Sequence, residues 1–308
     1  MNFDLYLPTL LTIITAATPL VFAAMGELVT EKSGVLNLGV EGMMLTGAVT
    51  GFAAVVVTDS AILGCLAAMA AGMLTALIFA FLVLGLQASQ VATGLALTLF
   101  GIGLSALLGQ DMVGIAYAGL PKLQLPIVSD LPVLGPLLFH HDALVYLSFV
   151  LPAAVAWFLY RTRAGLILRA VGDSHDAAHA IGYPVIAIRY MATLFGGAMS
   201  GLAGAYLSLS YSTMWVENMS AGRGWIALAL VVFATWRPWR VMFGAYLFGG
   251  ITILQLYAQA FGIAVPSQFM TMLPYLATIV VLVVISRDES RIRQNAPACI
   301  GKPFHPSA

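Results

Sequence analysis

Residues able to do chemistry are few in this 308-residue chain and gather in three places. The first is Glu27, Glu31, Lys32, Asn37 and Glu41. The second is Glu217, Asn218, Arg223 and Trp225. The third is a polar stretch, Arg161 to Tyr190, that carries His175 and His179. Carboxylate, amide, guanidinium and indole groups beside apolar runs can hold a polar solute by hydrogen bonds and stacking. They do not form the paired His, Asp or Ser–Lys groups that hydrolysis or group transfer needs at depth, so an enzyme is not expected. His175 and His179 lie four residues apart, a spacing that suits a metal ion. No third ligand stands nearby, so they read as surface histidines and neither a metal nor another cofactor is expected.

The background to these groups is unusually apolar. Hydrophobic residues make up 61% of the chain and charged residues 8%, with 13 basic against 13 acidic side chains. The mean hydropathy of +0.97 excludes a soluble globular enzyme, a disordered chain and a nucleic-acid binder. Lipid must be the solvent, and only helices satisfy their backbone there unless the sequence alternates as a barrel does. The runs Leu5–Met25, Val40–Thr58, Ala61–Leu86, Val91–Leu108, Ala143–Tyr160, Tyr190–Tyr211, Trp225–Trp236, Val241–Ile263 and Thr271–Ser286 predict an all-α polytopic membrane protein of about nine transmembrane helices. The first run lacks an early Lys or Arg and reads as a retained helix rather than a signal peptide. The seventh is short for a full crossing and is flanked by Gly and Pro. Cys65 and Cys299 lie in unrelated contexts, and no disulfide is expected.

Nine spans put Lys32, Arg161, Arg163, Arg169, Arg189, Arg237, Arg240, Arg287, Arg291, Arg293 and Lys302 on one side, eleven of the 13 basic residues. That side is expected to be cytoplasmic, with the N-terminus outside, the C-terminus inside and Gln110–Asp142 an external loop. Two segments also resemble each other. In each, a small-residue helix meets a polar break (Glu27–Asn37; Trp215–Arg223) and then a second helix. One break faces the cytoplasm and the other the outside, so an inverted internal repeat is expected, with the pathway at its interface. Candidate path residues are Asn37, Glu41, Asn218, Arg223 and Trp225. Asn37 and Glu41 suit holding a broken helix through its freed backbone groups. Glu27, Glu31 and Lys32 read as solvated loop residues. Tyr211, Trp215 and Trp225 fit stacking on a solute and an interfacial aromatic belt equally well. Gly197 and Gly201, four apart, fit close helix packing.

The polar stretch Arg161 to Tyr190 has its own punctuation. Asp173 or Ser174 can cap a helix, Asp176 suits its first turn, Ala177, Ala178 and Ala180 favour it, and Gly182 with Pro184 ends it. A helix of about two turns follows, its apolar residues Ala177, Ala178 and Ile181 on roughly one face. Spacing leaves two readings: docking on a soluble partner, or lying on lipid headgroups.

The order R-x-G…R-A-V-G-D-x-x-x-A-A-x-x-x-G-Y-x-V-x-x-x-R resembles the coupling loop of permease subunits of ABC importers in the branched-chain amino acid/ribose/nucleoside permease family. Glu31 to Met44, EKSGVLNLGVEGMM, is most similar to the nucleoside and simple-sugar branch. The resemblance runs from about Ala16 to Ser286. Where the family often has Glu-Asn-Pro, this chain has Asp173-Ser174-His175, which keeps the capping groups. The resemblance implies a permease domain over residues 1–286, with a coupling loop at 161–189 and a cytoplasmic tail at 287–308. Asp173, Ser174, His175, Asp176, Ala177, Ala178, Ile181 and Gly182 would form the ATPase-coupling helix. It implies an inner-membrane transport subunit for nucleosides, purines or simple sugars. Its expected partners are a separate ABC ATPase, an extracytoplasmic solute-binding protein, a second permease of different sequence and membrane lipid, with no nucleic acid. The chain has no G-x-x-x-x-G-K-[ST] loop, so ATP hydrolysis is assigned to the partner chain. The competing class is an ion-coupled secondary transporter of a small polar solute, which would carry charged groups mid-span.

Overall fold

The computed structural model describes residues 3–123, 141–260 and 295–305, with isolated positions between 269 and 283. Among these the chain is helical, and β pairing is confined to two isolated bridges. In chain order the helices are α1 (Phe3–Lys32), α2 (Val40–Thr58), α3 (Ala61–Ala80), α4 (Gln90–Gly109), α5 (Ala143–Arg161), α6 (Arg163–Asp173), α7 (His175–Ala180), α8 (Val185–Tyr206), α9 (Arg223–Phe233) and α10 (Pro238–Ala260). Seven of the described helices are long and apolar enough to cross a membrane. The run Thr271–Ser286 and the positions Arg287, Arg291 and Arg293 lie largely or wholly outside the described residues.

Local chemistry sets most helix ends. Ser60, Ser89, Asp142 and Thr162 each accept a hydrogen bond from a first-turn amide of the helix that follows. α3 and α8 both close in a single π turn, Phe81–Gly85 and Leu207–Tyr211. Asp142 does two things at once. Its Oδ1 caps α5 through the amides of Leu144 and Val145, and its Oδ2 accepts from Ser210 on the π turn of α8.

The core is a set of helices crossed on small residues. α8 packs against α1, α2 and α3. Along α1 and α8 the pairing runs in opposite senses: Gly26 lies against Met199 and Gly196, while Thr30 Oγ1 donates to the Ala192 carbonyl at 3.2 Å. The two helices are therefore antiparallel. A methyl group on Gly47 would overlap Gly201, and one on Gly201 would overlap the carbonyl of Ala68. One on Gly72 would overlap the Gly197 carbonyl, and one on Gly204 that of Met44. Backbones can touch this closely only where no side chain intervenes. Opposite this core, Leu95, Leu99, Phe100 and Leu107 of α4 are exposed, as lipid-facing residues should be.

Most boundaries fall within a few residues of the sequence expectation; two differ more, and both lengthen a helix. α1 continues to Lys32 because its last turns are enclosed by α8, α9 and the tail. α8 begins at Val185, so Arg189 sits inside a helix, fully buried, rather than in a loop. A third difference is α6. Residues 163–173 form an amphipathic helix capped by Thr162, with Gly165, Leu168, Val171 and Gly172 buried.

Candidate functional site

The first break begins at Ser33. Gly34, at φ +89, turns the chain out of α1. The backbone then runs to α2 without helical bonds, and side chains supply the partners. Asn37 is fully buried. Its Oδ1 accepts from the Gly39 amide at 2.9 Å, and its own amide donates to Oε1 of Glu27 at 3.1 Å. Gln90 Oε1 accepts from the Leu36 amide at 2.7 Å.

The second break reaches back into the protein. Met214 bridges to Ala116, and the Tyr117 amide donates to the Thr213 carbonyl at 2.9 Å, tying its start to the segment after α4. Its end meets α2. Glu41, in the first turn of α2, accepts from Ser220 Oγ and the Gly222 amide through Oε1, and from the Gly224 amide at 2.6 Å through Oε2. A single carboxylate thus caps the N-terminus of α9, where unpaired amides and the positive end of the helix favour it. Gly224 is required there, because a Cβ would lie 2.6 Å from the Glu41 backbone.

α9 has 11 residues, a rise of about 16 Å, roughly half the hydrocarbon thickness. It is held at both ends by carboxyl groups, one from α2 and one from α1. Just past its C-terminal end, the Trp236 indole donates to Oε2 of Glu31. The seventh apolar run is therefore a half-helix held between Glu41 and Glu31, too short to cross a membrane by itself.

These contacts correct the reading of Glu27, Glu31 and Lys32 as solvated loop residues. They are 0%, 1% and 7% exposed. Glu31 is engaged by Trp236, and Lys32 donates to the Asn295 carbonyl. Of the proposed path residues, Asn37 and Glu41 are committed to backbone groups, while Asn218 and Trp225 are exposed. Arg223 is half-buried, folded onto the carbonyls of Met219 and Ser220, with its guanidinium 5.3 Å from the Tyr211 ring centre. Trp215 is buried against Gly109 and is not placed to stack on a solute.

α7 has the expected punctuation. Ser174 Oγ accepts from the Ala177 amide at 3.3 Å, and Gly182 takes φ +92. Its faces divide differently from the expectation. Ala178 is buried in the chain's own small core with Val171, Val185 and Phe304. The free face carries Asp176, Ala177, Ala180 and Ile181, the last 72% exposed. His175 is not a surface histidine: its Nδ1 lies 3.1 Å from the guanidinium of Arg189 and its ring 5.2 Å from that of Phe304. His179 lies on the other side of Phe304, at 5.3 Å. Burial and the Arg189 charge push the His175 pKa below its usual value. Among the described residues no cluster of three metal-ligating side chains exists.

α1 and α8 run antiparallel and each leads into a non-helical break, an arrangement that many transport proteins share. Comparison with known proteins narrows the class. Residues 9–285 match the family of the branched-chain amino acid transport system permease component. The chain is 42% identical to a Haloferax volcanii protein, with 95% of each chain covered. That protein's name, still provisional, is glucose ABC transporter permease protein TsgC13. It is 32% identical to the guanosine ABC transporter permease protein NupQ of Bacillus subtilis, over 96% of this chain and 97% of that one. The nucleoside ABC transporter permease protein NupC of Lactococcus lactis is 32% identical over 86% and 88%. No solved structure matches. The chain belongs to the branched-chain amino acid transport system permease family, as a multi-pass transmembrane permease subunit of an ABC transporter. That relationship sets aside an ion-coupled secondary transporter.

Proposed function

We propose that this chain is half of the translocation path of an ATP-driven importer for nucleosides, purines or simple sugars. It works with a second permease of different sequence, two ABC ATPase chains and an extracytoplasmic solute-binding protein. The observation that carries the reading is the Glu41 joint, where α2 and α9 meet within the core. A helix end held inside the protein by a single carboxylate is a joint, and two helices that share it can shift together in alternating access. The names of the relatives, a glucose permease and two nucleoside permeases, support the solute class. Asn218, Arg223 and Trp225 form the solute-facing part of the second break. On this reading α7 and its free face dock on the ATPase, which supplies all ATP hydrolysis, and the N-terminus faces outward in the inner membrane.

The test is reconstitution of the complex with its ATPase and binding protein, followed by uptake of labelled guanosine, adenine, glucose and ribose. ATP-dependent uptake of a nucleoside, purine or sugar is expected. Uptake that follows an ion gradient and ignores ATP would overturn the proposal.

A further inference from the structure

Among the described residues, Arg189 is one of the largest fully buried side chains. A buried guanidinium is costly unless every donor is satisfied, and a charged partner is its usual compensation. Among the described residues no carboxylate pairs with it. Its donors instead reach neutral acceptors in three separate segments. Nε donates to the Ser33 carbonyl at 3.2 Å, Nη1 to the Lys302 carbonyl at 3.2 Å, and Nη2 to His175 Nδ1 at 3.1 Å. Arginine has no acceptor, so His175 is neutral here, with its proton on Nε2. The three segments are the first break, the tail and α7.

The tail reinforces this connection with two backbone bonds of its own, to the end of α6 and to the first break. The Cys299 amide donates to the Gly172 carbonyl at 2.9 Å, just before α7, and the Gly301 amide to the Gly34 carbonyl at 3.1 Å. Phe304 then fills the space beside Ala178, His175 and His179. Gln87, between α3 and α4, donates to the Phe304 carbonyl at 3.3 Å. α7 therefore has no free-standing position. Displacing it displaces Phe304 and Arg189, and both lead to Ser33 and Gly34 at the start of the first break.

Resting on the proposed function, we infer that Arg189 and tail residues 299–305 form a relay that carries movement of α7 into the break between α1 and α2. Arg189 is a positioning residue: it neither docks the ATPase nor meets the solute. An apolar residue of similar volume would pack the same space, but it would not join the three segments.

Cys299 is a built-in reporter, because it is buried and its thiol lies 3.5 Å from the Asp173 carbonyl. In the reconstituted complex, with Cys65→Ala as background, maleimide labelling of Cys299 reads tail docking. Phe304→Ala and Arg189→Lys are compared with Ile181→Asp. In the first two, the relay predicts Cys299 labelling about tenfold faster, uptake per ATP about tenfold lower, and the ATPase still bound and hydrolysing within about twofold. Ile181→Asp should shed the ATPase itself. The relay is overturned if Phe304→Ala keeps normal uptake per ATP, leaves Cys299 protected, or loses the ATPase. Should Arg189→Lys fail to assemble, Phe304→Ala decides alone. An unmodified complex that retains no ATPase would instead refute the proposed function, so the two failures are distinguishable.

Discussion

The indole of Trp236 is hydrogen-bonded to the carboxylate of Glu31, so the closing end of the half-helix α9 is fastened to the last turn of α1. With Glu41 at the opposite end, α9 cannot tilt without stretching a charge-assisted bond, the stronger kind.

Trp236→Phe keeps an aromatic ring but leaves a small void, and it strands the Glu31 carboxyl group. A loss on the order of 2 kcal/mol is expected, read as a lower midpoint of thermal unfolding in detergent. Glu31→Leu together with Trp236→Phe should cost less than Trp236→Phe alone, because no buried polar group is then left unpaired. An unchanged midpoint in Trp236→Phe would show that the bond contributes nothing.

Glu41→Ala removes the acceptor for Ser220 and for the amides of Gly222 and Gly224 at the start of α9. Loss of such a cap costs about 1–2 kcal/mol, and uptake should fall more than stability does. Hydrogen exchange should rise at 220–226 and stay constant in α4. A uniform rise across the molecule would indicate general unfolding instead.

Substitutions on α7 should separate by face. Ala177→Asp and Ile181→Asp place a charge on the free side and should release the ATPase with the permease still inserted. Ala178→Asp buries a charge against Val171 and Phe304, and should expose the tail first. Co-purification of the ATPase, paired with protease sensitivity of the tail, tells the two classes apart.

The tail contact should weaken in acid. Arg189 and Lys302 face His175 with like charge, and Asp176 opposes them only weakly from the surface. Because burial and those charges lower the pKa in the folded state, the neutral form is favoured. Stability contributed by this group is present above the usual 6.5 and is lost as pH falls below it. Hydrogen exchange at 299–304, corrected for intrinsic rates, should therefore accelerate between about pH 7 and pH 5. His175→Gln should flatten that response, and an identical slope in the variant would rule out His175 as its source.

Ser60 and Ser174 lie at opposite ends of the bundle, capping α3 and α7. In a background without native cysteines, Ser60→Cys should react with an impermeant maleimide in spheroplasts and Ser174→Cys only after lysis. Equal reaction of both would contradict the assigned orientation.

Local signals carried well from sequence to structure. Val40–Thr58 is a helix over the expected residues, and Ser174, Gly182 and Pro184 bound α7 because caps and left-handed turns depend on neighbours in the chain. What could not be read depends on distant partners. The burial of Lys32 is set by Asn295, and that of Glu31 by Trp236. Ala178 looked equivalent to Ala177 until Phe304 covered one of them. Arg189 resembled a cytoplasmic positive charge, since nothing nearby announces three neutral acceptors from remote segments. α6 did leave a trace: Thr162 before an apolar stripe at Leu168 and Val171, interrupted by arginines.

Where Gly47 and Gly72 meet Gly201, three backbones touch with no side chain between them to compress. Such a crossing resists both approach and sideways slip, and leaves rotation as the soft motion. Gly201 lies 16 residues from the start of α8, so the lever arm to Val185 is about 24 Å. Swinging α8 by about 10° around that fulcrum would move its N-terminal end roughly 4 Å, within the range of known helix shifts. The bundle is geared: a small angle at the centre becomes a large stroke at the rim.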